Sequence, residues 1–249
     1  MKQFGLIGFP LGHSFSKIYF TDKFERENID AKYDLYELKS ISGFTSLLDN
    51  EKFSGLNVTI PYKVDVIKYL DELDETAAKI RAVNTIKFIR TDGKLKLKGY
   101  NTDAIGFENS IKPLLLPIHK KALILGTGGA SKAINYVLCS MSIETTFVTR
   151  TPKSGMLTYK QLTKEILSEN LIIINASPIG TFPHSDECPD IPYEFLTEKH
   201  ILFDVVYNPA ETLFMKNGKK RGAETINGEG MLIGQAIAAW KIWNSDEIA

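Results

Sequence analysis

Lys63 and Asp103 are residue types that can hold or move a proton at a reacting centre. Lys63 stands two residues after Pro61. If that proline opens a helix, Lys63 falls in its first turn, where the helix dipole slightly disfavours the ammonium form. Asp103 follows Gly99-Tyr100-Asn101-Thr102 at the expected junction of two domains, the usual place for a cleft and its chemistry. Burial lowers a lysine pKa and a neighbouring carboxylate raises it, so the two are read as one coupled unit. Read locally, Lys63 also fits a solvated surface and Asp103 a helix N-cap. Ser14 and Ser16 are spaced two apart; in an extended segment both hydroxyls face one side and can grip a single carboxylate, the other reading being helix capping.

A second constellation is phosphate chemistry. Lys121-Ala122-Leu123-Ile124-Leu125 runs into Gly126-Thr127-Gly128-Gly129-Ala130-Ser131, and Ala133, Ile134, Val137 and Leu138 continue at helical spacing. Glycines at a strand-to-helix turn let the backbone approach a pyrophosphate, which the helix N-terminal amides then bind. Ser131 replaces the third glycine of that fingerprint. About 20 residues on, where an NAD enzyme places an acid on the ribose hydroxyl, the chain has Thr149-Arg150-Thr151. Arginine there suits a 2′-phosphate, because its planar donors fork onto phosphate oxygens and its charge does not titrate away. The expected cofactor is therefore NADP(H).

Short β-branched runs alternating with helical patterns are needed to place these residues, the form taken by βα units in mainly parallel sheets. Residues 4–8, 33–38 and 56–60 read as strands. Ile18, Tyr19, Phe24 and Ile29 follow helical spacing between the first two, and Val64, Ile67 and Leu70 follow it after the third. Residues 84–89 and 95–100 flank Thr91-Asp92-Gly93, whose Asp-Gly pair favours positive φ in a tight hairpin. Phe107, Ile111, Leu114 and Leu115 make a helical stripe leading to strands at 122–125, 145–148, 171–174 and 201–205, a dinucleotide-binding series. Residues 231–243 are apolar nearly all round and predict a buried helix returning to the first domain.

The 249 residues suffice for one large domain or two modest ones without cross-links. Cys139 and Cys188 lie far apart and outside any metal-binding spacing, so neither a disulfide framework nor a metal is expected, and a reducing, cytoplasmic setting is. Thirty basic residues cancel thirty acidic ones, which argues against nucleic-acid and membrane partners and for a small-molecule substrate. The composition leaves a homodimer open.

Together these segments resemble the shikimate dehydrogenase family over nearly the whole chain. The matching pieces, in the family's order, are His13-Ser14-Phe15-Ser16, Asn57-Val58-Thr59-Ile60-Pro61-Tyr62-Lys63, Ala82-Val83-Asn84-Thr85, Gly99-Tyr100-Asn101-Thr102-Asp103, Gly126-Thr127-Gly128-Gly129-Ala130, Asn175-Ala176-Ser177-Pro178-Ile179-Gly180, Asp204-Val205-Val206-Tyr207 and Gly230-Met231-Leu232-Ile233-Gly234-Gln235. The resemblance implies an α/β fold: an N-terminal substrate domain at 1–102, joined by a C-terminal helix at 231–249, and a Rossmann-like doubly wound domain at 103–230, with a cleft between them. It implies reversible NADPH-dependent reduction of 3-dehydroshikimate to shikimate, on the way to chorismate and the aromatic amino acids. It further implies that Ser14 and Ser16 hold the substrate carboxylate, that Thr59, Asn84, Asp103, Tyr207 and Gln235 surround its ring and hydroxyls, and that Lys63 and Asp103 are the catalytic pair. Gly126, Gly128, Gly129 and Ala130 would cradle the pyrophosphate and Arg150 and Thr151 the 2′-phosphate, while Ser177, Val205, Gly228 and Met231 would line the nicotinamide end.

Three positions depart from the family pattern. Lys17 stands where proline is common, Thr149 where asparagine usually precedes the arginine, and Arg81 where glycine usually precedes Ala-Val-Asn. If that glycine serves a positive φ, the loop carrying Asn84 is expected to differ slightly here. A quinate/shikimate dehydrogenase of broader specificity, or a non-catalytic nucleotide or metabolite sensor on the same fold, are the other readings.

Overall fold

The structure is a computed structural model that describes residues 1–249 apart from His13, Glu51 and 246–249. The chain divides into two compact units, Met1–Ile105 with Gly234–Ala249, and Gly106–Ile233. The expected helix end at 246–249 and the His13 of the first motif lie outside the described residues.

The first unit is built on a six-stranded sheet. In chain order its elements are β1 (Lys2–Gly8), α1 (Phe15–Arg26), β2 (Ala31–Glu37), β3 (Phe53–Val58), β4 (Glu72–Leu73), α2 (Glu75–Ile80), β5 (Thr85–Thr91), β6 (Lys94–Tyr100) and the start of α3 (Thr102–Ile111). The strand order is β2-β1-β3-β5-β6-β4. β1 pairs in parallel with β2 and β3, whereas β5 runs antiparallel to β3 and β6. All but the first residue of β1 are buried, as expected of a strand covered on both faces. Ile7, Phe44, Phe53, Leu56 and Val58 join one core cluster, and Phe4, Leu6, Phe20, Phe24 and Tyr33 another, with Ala239 and Trp243. The β5–β6 hairpin turns at Asp92 (φ 52°) and Gly93 (φ 74°), as its Asp-Gly pair predicts.

One local expectation fails. Val64, Ile67 and Leu70 do not lie on an α-helix opened by Pro61; residues 60–64 form a turn followed by a short 3-10 helix at Asp65–Tyr69. Val66 is the wholly buried residue while Val64 is 42% exposed, so the core takes a different face from the one the spacing suggests. Lys63 therefore lacks the α-helical first turn, and the dipole argument for it falls. The turn before Asn84 does need a positive φ. Arg81 itself adopts the left-handed conformation (φ 58°, ψ 42°) that ends α2, so its substitution is absorbed as local backbone strain.

The second unit continues with β7 (Lys121–Leu125), α4 (Gly129–Ser140), β8 (Glu144–Thr149), β9 (Leu157–Thr158), α5 (Lys164–Glu169), β10 (Ile172–Asn175), β11 (Ile201–Asp204), α6 (Leu213–Lys219), β12 (Glu224–Ile226) and the first residues of α7 (Glu229–Asn244). Its strands are all parallel, in the order β12-β11-β10-β7-β8-β9. This is the doubly wound Rossmann arrangement, with chain order reversing between β7 and β10. Phe203 on β11 meets Phe107 of α3 edge-on at 5.0 Å, while the adjacent Leu202 clusters with Phe214 of α6. Successive strand residues face opposite sides, so helices cover both faces of the sheet. The two- and three-residue strands β4, β9 and β12 carry no period the sequence could show.

α7 is less uniformly buried than its composition predicts. Met231, Ala236, Ala238, Ala239 and Trp243 are buried, but Ile233 and Ile237, one turn apart, are exposed. Trp243 donates its indole N–H to the Ile86 carbonyl at 3.0 Å, fixing the helix end to β5.

Candidate active site

Within the first unit, Lys63, Asn84, Asp103 and Gln235 come together from four segments. Lys63 Nζ donates to Asp103 Oδ2 at 2.7 Å, with side-chain exposures of 13% and 2%. The Lys63 carbonyl accepts from Val83 N–H at 2.7 Å, tying its turn to the segment that leads through Asn84 into β5. Asn84 is held in turn by Val58 N–H on its carbonyl at 2.8 Å and by its own N–H to Tyr100 at 3.0 Å.

The orientation of the Asn84 amide is fixed by donors that cannot reverse. Thr102 backbone N–H reaches Asn84 Oδ1 at 2.7 Å, joined by the Thr102 and Thr85 hydroxyls at 3.1 and 3.2 Å. A backbone N–H only donates, so Oδ1 must face it and Nδ2 must face the carboxylate. Asn84 Nδ2 accordingly donates to Asp103 Oδ1 at 2.9 Å and to Gln235 Oε1 at 3.3 Å. Asp103 thus has one oxygen on an amide and the other on an ammonium. It does not cap α3: Asn101 does so, its Oδ1 accepting from Ala104 N–H at 3.3 Å, which leaves the carboxylate of Asp103 for the pair.

Ser14 and Ser16 are not in an extended run. Ser14 is the N-cap of α1 and accepts from Lys17 N–H at 3.3 Å, while Ser16 lies in the first turn; the nearby buried Tyr33 hydroxyl donates to Asn57 Oδ1 at 2.8 Å. Burial pushes the Tyr33 phenol well above its ordinary range. Both serines nonetheless sit at the N-terminus of a twelve-residue helix with no acid in its first turn. Thr59 is half-buried just after β3, its N–H on the Ile7 carbonyl at 2.9 Å. Tyr207 belongs to the second unit, half-buried in the loop after β11.

The second unit gathers the residues expected to bind the dinucleotide at the C-terminal edge of its sheet. Gly126 has φ 118°, and a Cβ there would sit 3.0 Å from the Ala176 carbonyl oxygen, across the point where strand order reverses. Gly128 is the N-cap of α4 with no side-chain cap, and nothing lies within 4 Å of where its Cβ would be. Gly129, Ala130 and Ser131 form the first turn, whose N–H groups have no intrahelical acceptor. The structure therefore presents a glycine-cleared cradle beside free amides, which fits a pyrophosphate. Arg150 and Thr151 are exposed just past β8. Ser177 follows β10 and donates to Asn175 Oδ1 at 2.6 Å. Val205 follows β11, and a Cβ on Gly228 would come within 2.1 Å of its carbonyl oxygen, so only glycine fits. Met231 is buried on α7.

Sequence reasoning missed Asn101, Thr102 and Thr85 as supports of Asn84, and Asp204 and Thr212 behind Ser177. All are ordinary polar residues whose partners lie far along the chain or beyond a turn. The adjacency of Asn84 to Thr85 and of Thr102 to Asp103 was the one available signal.

A family model described as the shikimate dehydrogenase substrate binding domain matches residues 6–86. The chain is 39% identical to the NADP(+) shikimate dehydrogenase of Methanosphaera stadtmanae, covering 96% of this chain and 90% of the relative. The crystal structure of a chorismate mutase/shikimate 5-dehydrogenase fusion protein from Clostridium acetobutylicum superposes with a TM-score of 0.85 at 36% identity, over 99% of this chain and 92% of that one. Shikimate 5-dehydrogenase from Thermus thermophilus, solved in complex with NADP(H) and shikimate, gives 0.84 at 28% identity, over 98% and 94%. With this identity sustained along the whole length, the chain belongs to the shikimate dehydrogenase family.

Proposed function

We infer that this chain is an NADP(H)-dependent shikimate dehydrogenase that reversibly reduces 3-dehydroshikimate to shikimate. The observation that carries the reading is the buried Lys63–Asp103 pair, with Asn84 holding the second carboxylate oxygen. Bound NADPH supplies the hydride. As negative charge grows on the ring carbonyl oxygen, the Lys63 ammonium stabilises it and delivers a proton. Asp103 orients Lys63 and accepts a hydroxyl of the substrate, while Asn84 and Gln235 fix Asp103 and meet neighbouring hydroxyls. Thr59 and Tyr207 complete the ring contacts. Ser14 and Ser16, at the N-terminus of α1, bind the carboxylate, whose charge is the same in substrate and transition state; their contribution is to affinity.

Gly126, Gly128, Gly129 and Ala130 hold the pyrophosphate, and Arg150 and Thr151 the 2′-phosphate. Ser177, Val205, Gly228 and Met231 line the nicotinamide end. On this reading residues 1–102 and the C-terminal helix form the substrate domain and 103–230 the cofactor domain. The two free cysteines support a cytoplasmic, reducing setting.

The test is the absorbance of NADPH formed from NADP+ with shikimate, then with quinate, then with NAD+ in place of NADP+. Turnover with shikimate and NADP+ is expected. Comparable turnover of quinate would widen the substrate class, and none with either would leave a binding protein.

A further inference from the structure

Asp204 is a fully buried carboxylate that the reaction above does not use. It closes β11 directly opposite Asn175, which closes β10. Asp204 Oδ1 accepts from Asn175 Nδ2 at 2.9 Å and from Val206 N–H at 3.0 Å, and its Oδ2 accepts from Thr212 Oγ1 at 2.6 Å. Thr212 is itself buried and caps α6, accepting from Met215 N–H at 3.3 Å. Asn175 extends the connection: its Oδ1 accepts from the Ser177 hydroxyl at 2.6 Å and N–H at 3.2 Å, and its Nδ2 also donates to the Ile179 carbonyl at 3.1 Å. One carboxylate therefore ties together the loop after β10, the loop after β11 and the start of α6.

The chemistry of the three donors explains why a carboxylate stands there. Both its oxygens accept, whereas an amide of the same shape would turn a donor toward one of the groups that already donates. No Lys or Arg among the described residues contributes to its environment, and burial pushes its carboxyl up to about 6. A buried charge without a cation is costly, and apolar packing would serve a purely structural position better. The residue stands where three acceptor contacts are needed at once.

We propose that Asp204 is a positioning residue for hydride transfer, fixing through Asn175 and Thr212 the two loops that carry Ser177 and Tyr207. This rests on the assignment of those residues to the nicotinamide and substrate above. Loss of the anchor misplaces the reacting end, while Arg150 and the glycine loop still bind the rest of the cofactor. A small misplacement of that kind slows the chemical step.

The experiment is single-turnover stopped flow of NADPH oxidation by 3-dehydroshikimate, with wild type, Asp204→Asn and Thr212→Val side by side. NADPH affinity is read from fluorescence. The hydride-transfer rate is expected to fall about tenfold in Asp204→Asn and less in Thr212→Val, with NADPH affinity within about threefold of wild type. A merely structural role lowers the amplitude and leaves the rate of the surviving molecules unchanged. That result, or a loss of NADPH affinity as large as the loss of rate, overturns the proposal. Thr212→Val keeps the carboxylate and removes one donor, so it decides the matter even if Asp204→Asn does not fold. An inactive wild type defeats the functional reading together with this one; an active wild type with normal rates in both variants defeats this one alone.

Discussion

In the first unit Lys63, Asp103 and Asn84 are held by side chains bonding side chains, whereas in the second the loop from Gly126 to Ala130 is shaped by backbone and by side chains that are missing. The consequences differ. Removing an atom from the first leaves a buried charge or amide without its partner; adding one to the second fills the space left open beside the N-terminal amides of α4. The two units also contrast in their buried acids: Asp103 meets an ammonium at 2.7 Å, while Asp204 is satisfied by neutral donors alone.

The sharpest break is at the pair. Lys63→Ala should lower kcat about 100-fold or more, the usual size of general-acid catalysis, with a smaller change in KM. Asp103→Asn should lower kcat and also raise KM, because Asp103 holds Lys63 at 2.7 Å and is proposed to accept a substrate hydroxyl as well. Since the two work as a unit, the double variant should turn over little more slowly than Lys63→Ala. Steady-state kinetics of all three decides: near-normal kcat in Lys63→Ala removes lysine from the mechanism, and fully multiplicative losses separate the residues.

The contrast between acids sharpens through pH. Burial holds the Asp204 carboxyl at about 6 against 3.8 for an ordinary aspartate. Between those values the folded form keeps a proton that the unfolded form has lost, so this residue's contribution to stability falls as pH rises from about 4 to about 6. The gap corresponds to about 3 kcal/mol. His200 acts with the opposite sign: burial lowers its pKa, so its contribution is lost as pH falls below the ordinary histidine range. Urea melts of wild type and Asp204→Asn across pH 4 to 7 isolate the first effect. Wild type should lose stability relative to the variant as pH rises, and a pH-independent difference would refute the assignment.

How much of this was legible in the sequence follows the same division. The glycine loop was readable because backbone constraints appear as residue type, and Gly126, Gly128 and Arg150 lie at fixed distances along one βα unit. The strands around it were equally plain, being continuous β-branched runs. Lys63 and Asp103 drew notice as residue types, but their local settings were misread. Apolar spacing at Val64, Ile67 and Leu70 imitated a helix, and an acid next to a helix start imitated a cap that Asn101 provides. Asn84 owes its orientation to Thr102, 18 residues away, a relation no local pattern carries.

Cofactor choice gives a smaller effect confined to the second unit. Arg150→Ala removes the guanidinium proposed to hold the 2′-phosphate, a charge-assisted contact expected to be worth about 1.5 to 3 kcal/mol. KM for NADP+ should rise about 10- to 100-fold, and that for NAD+ hardly at all. Equal effects on the two cofactors would take Arg150 off the phosphate.

The smallest effect is at Arg81, where the first unit depends on backbone as the second does. Its side chain is exposed and forms no hydrogen bond or ion pair among the described residues, yet its φ of 58° is left-handed. That conformation costs a residue with a Cβ about 1 to 2 kcal/mol. Glycine removes this cost but gains freedom in the unfolded chain worth about 0.4 to 1 kcal/mol. Arg81→Gly should therefore gain a net stability of about 0.5 to 1 kcal/mol, or roughly 1 to 4 °C in Tm for a chain of this size. Arg81→Ala keeps the Cβ and loses only the guanidinium, so it should match wild type. Thermal melts of the three proteins separate backbone from side chain: a glycine variant no more stable than the alanine variant would show that the left-handed turn is not strained. Because Ala82 and Val83 lead from this turn to Asn84, kcat in Arg81→Gly should stay within about twofold of wild type, as expected for an exposed site without polar partners.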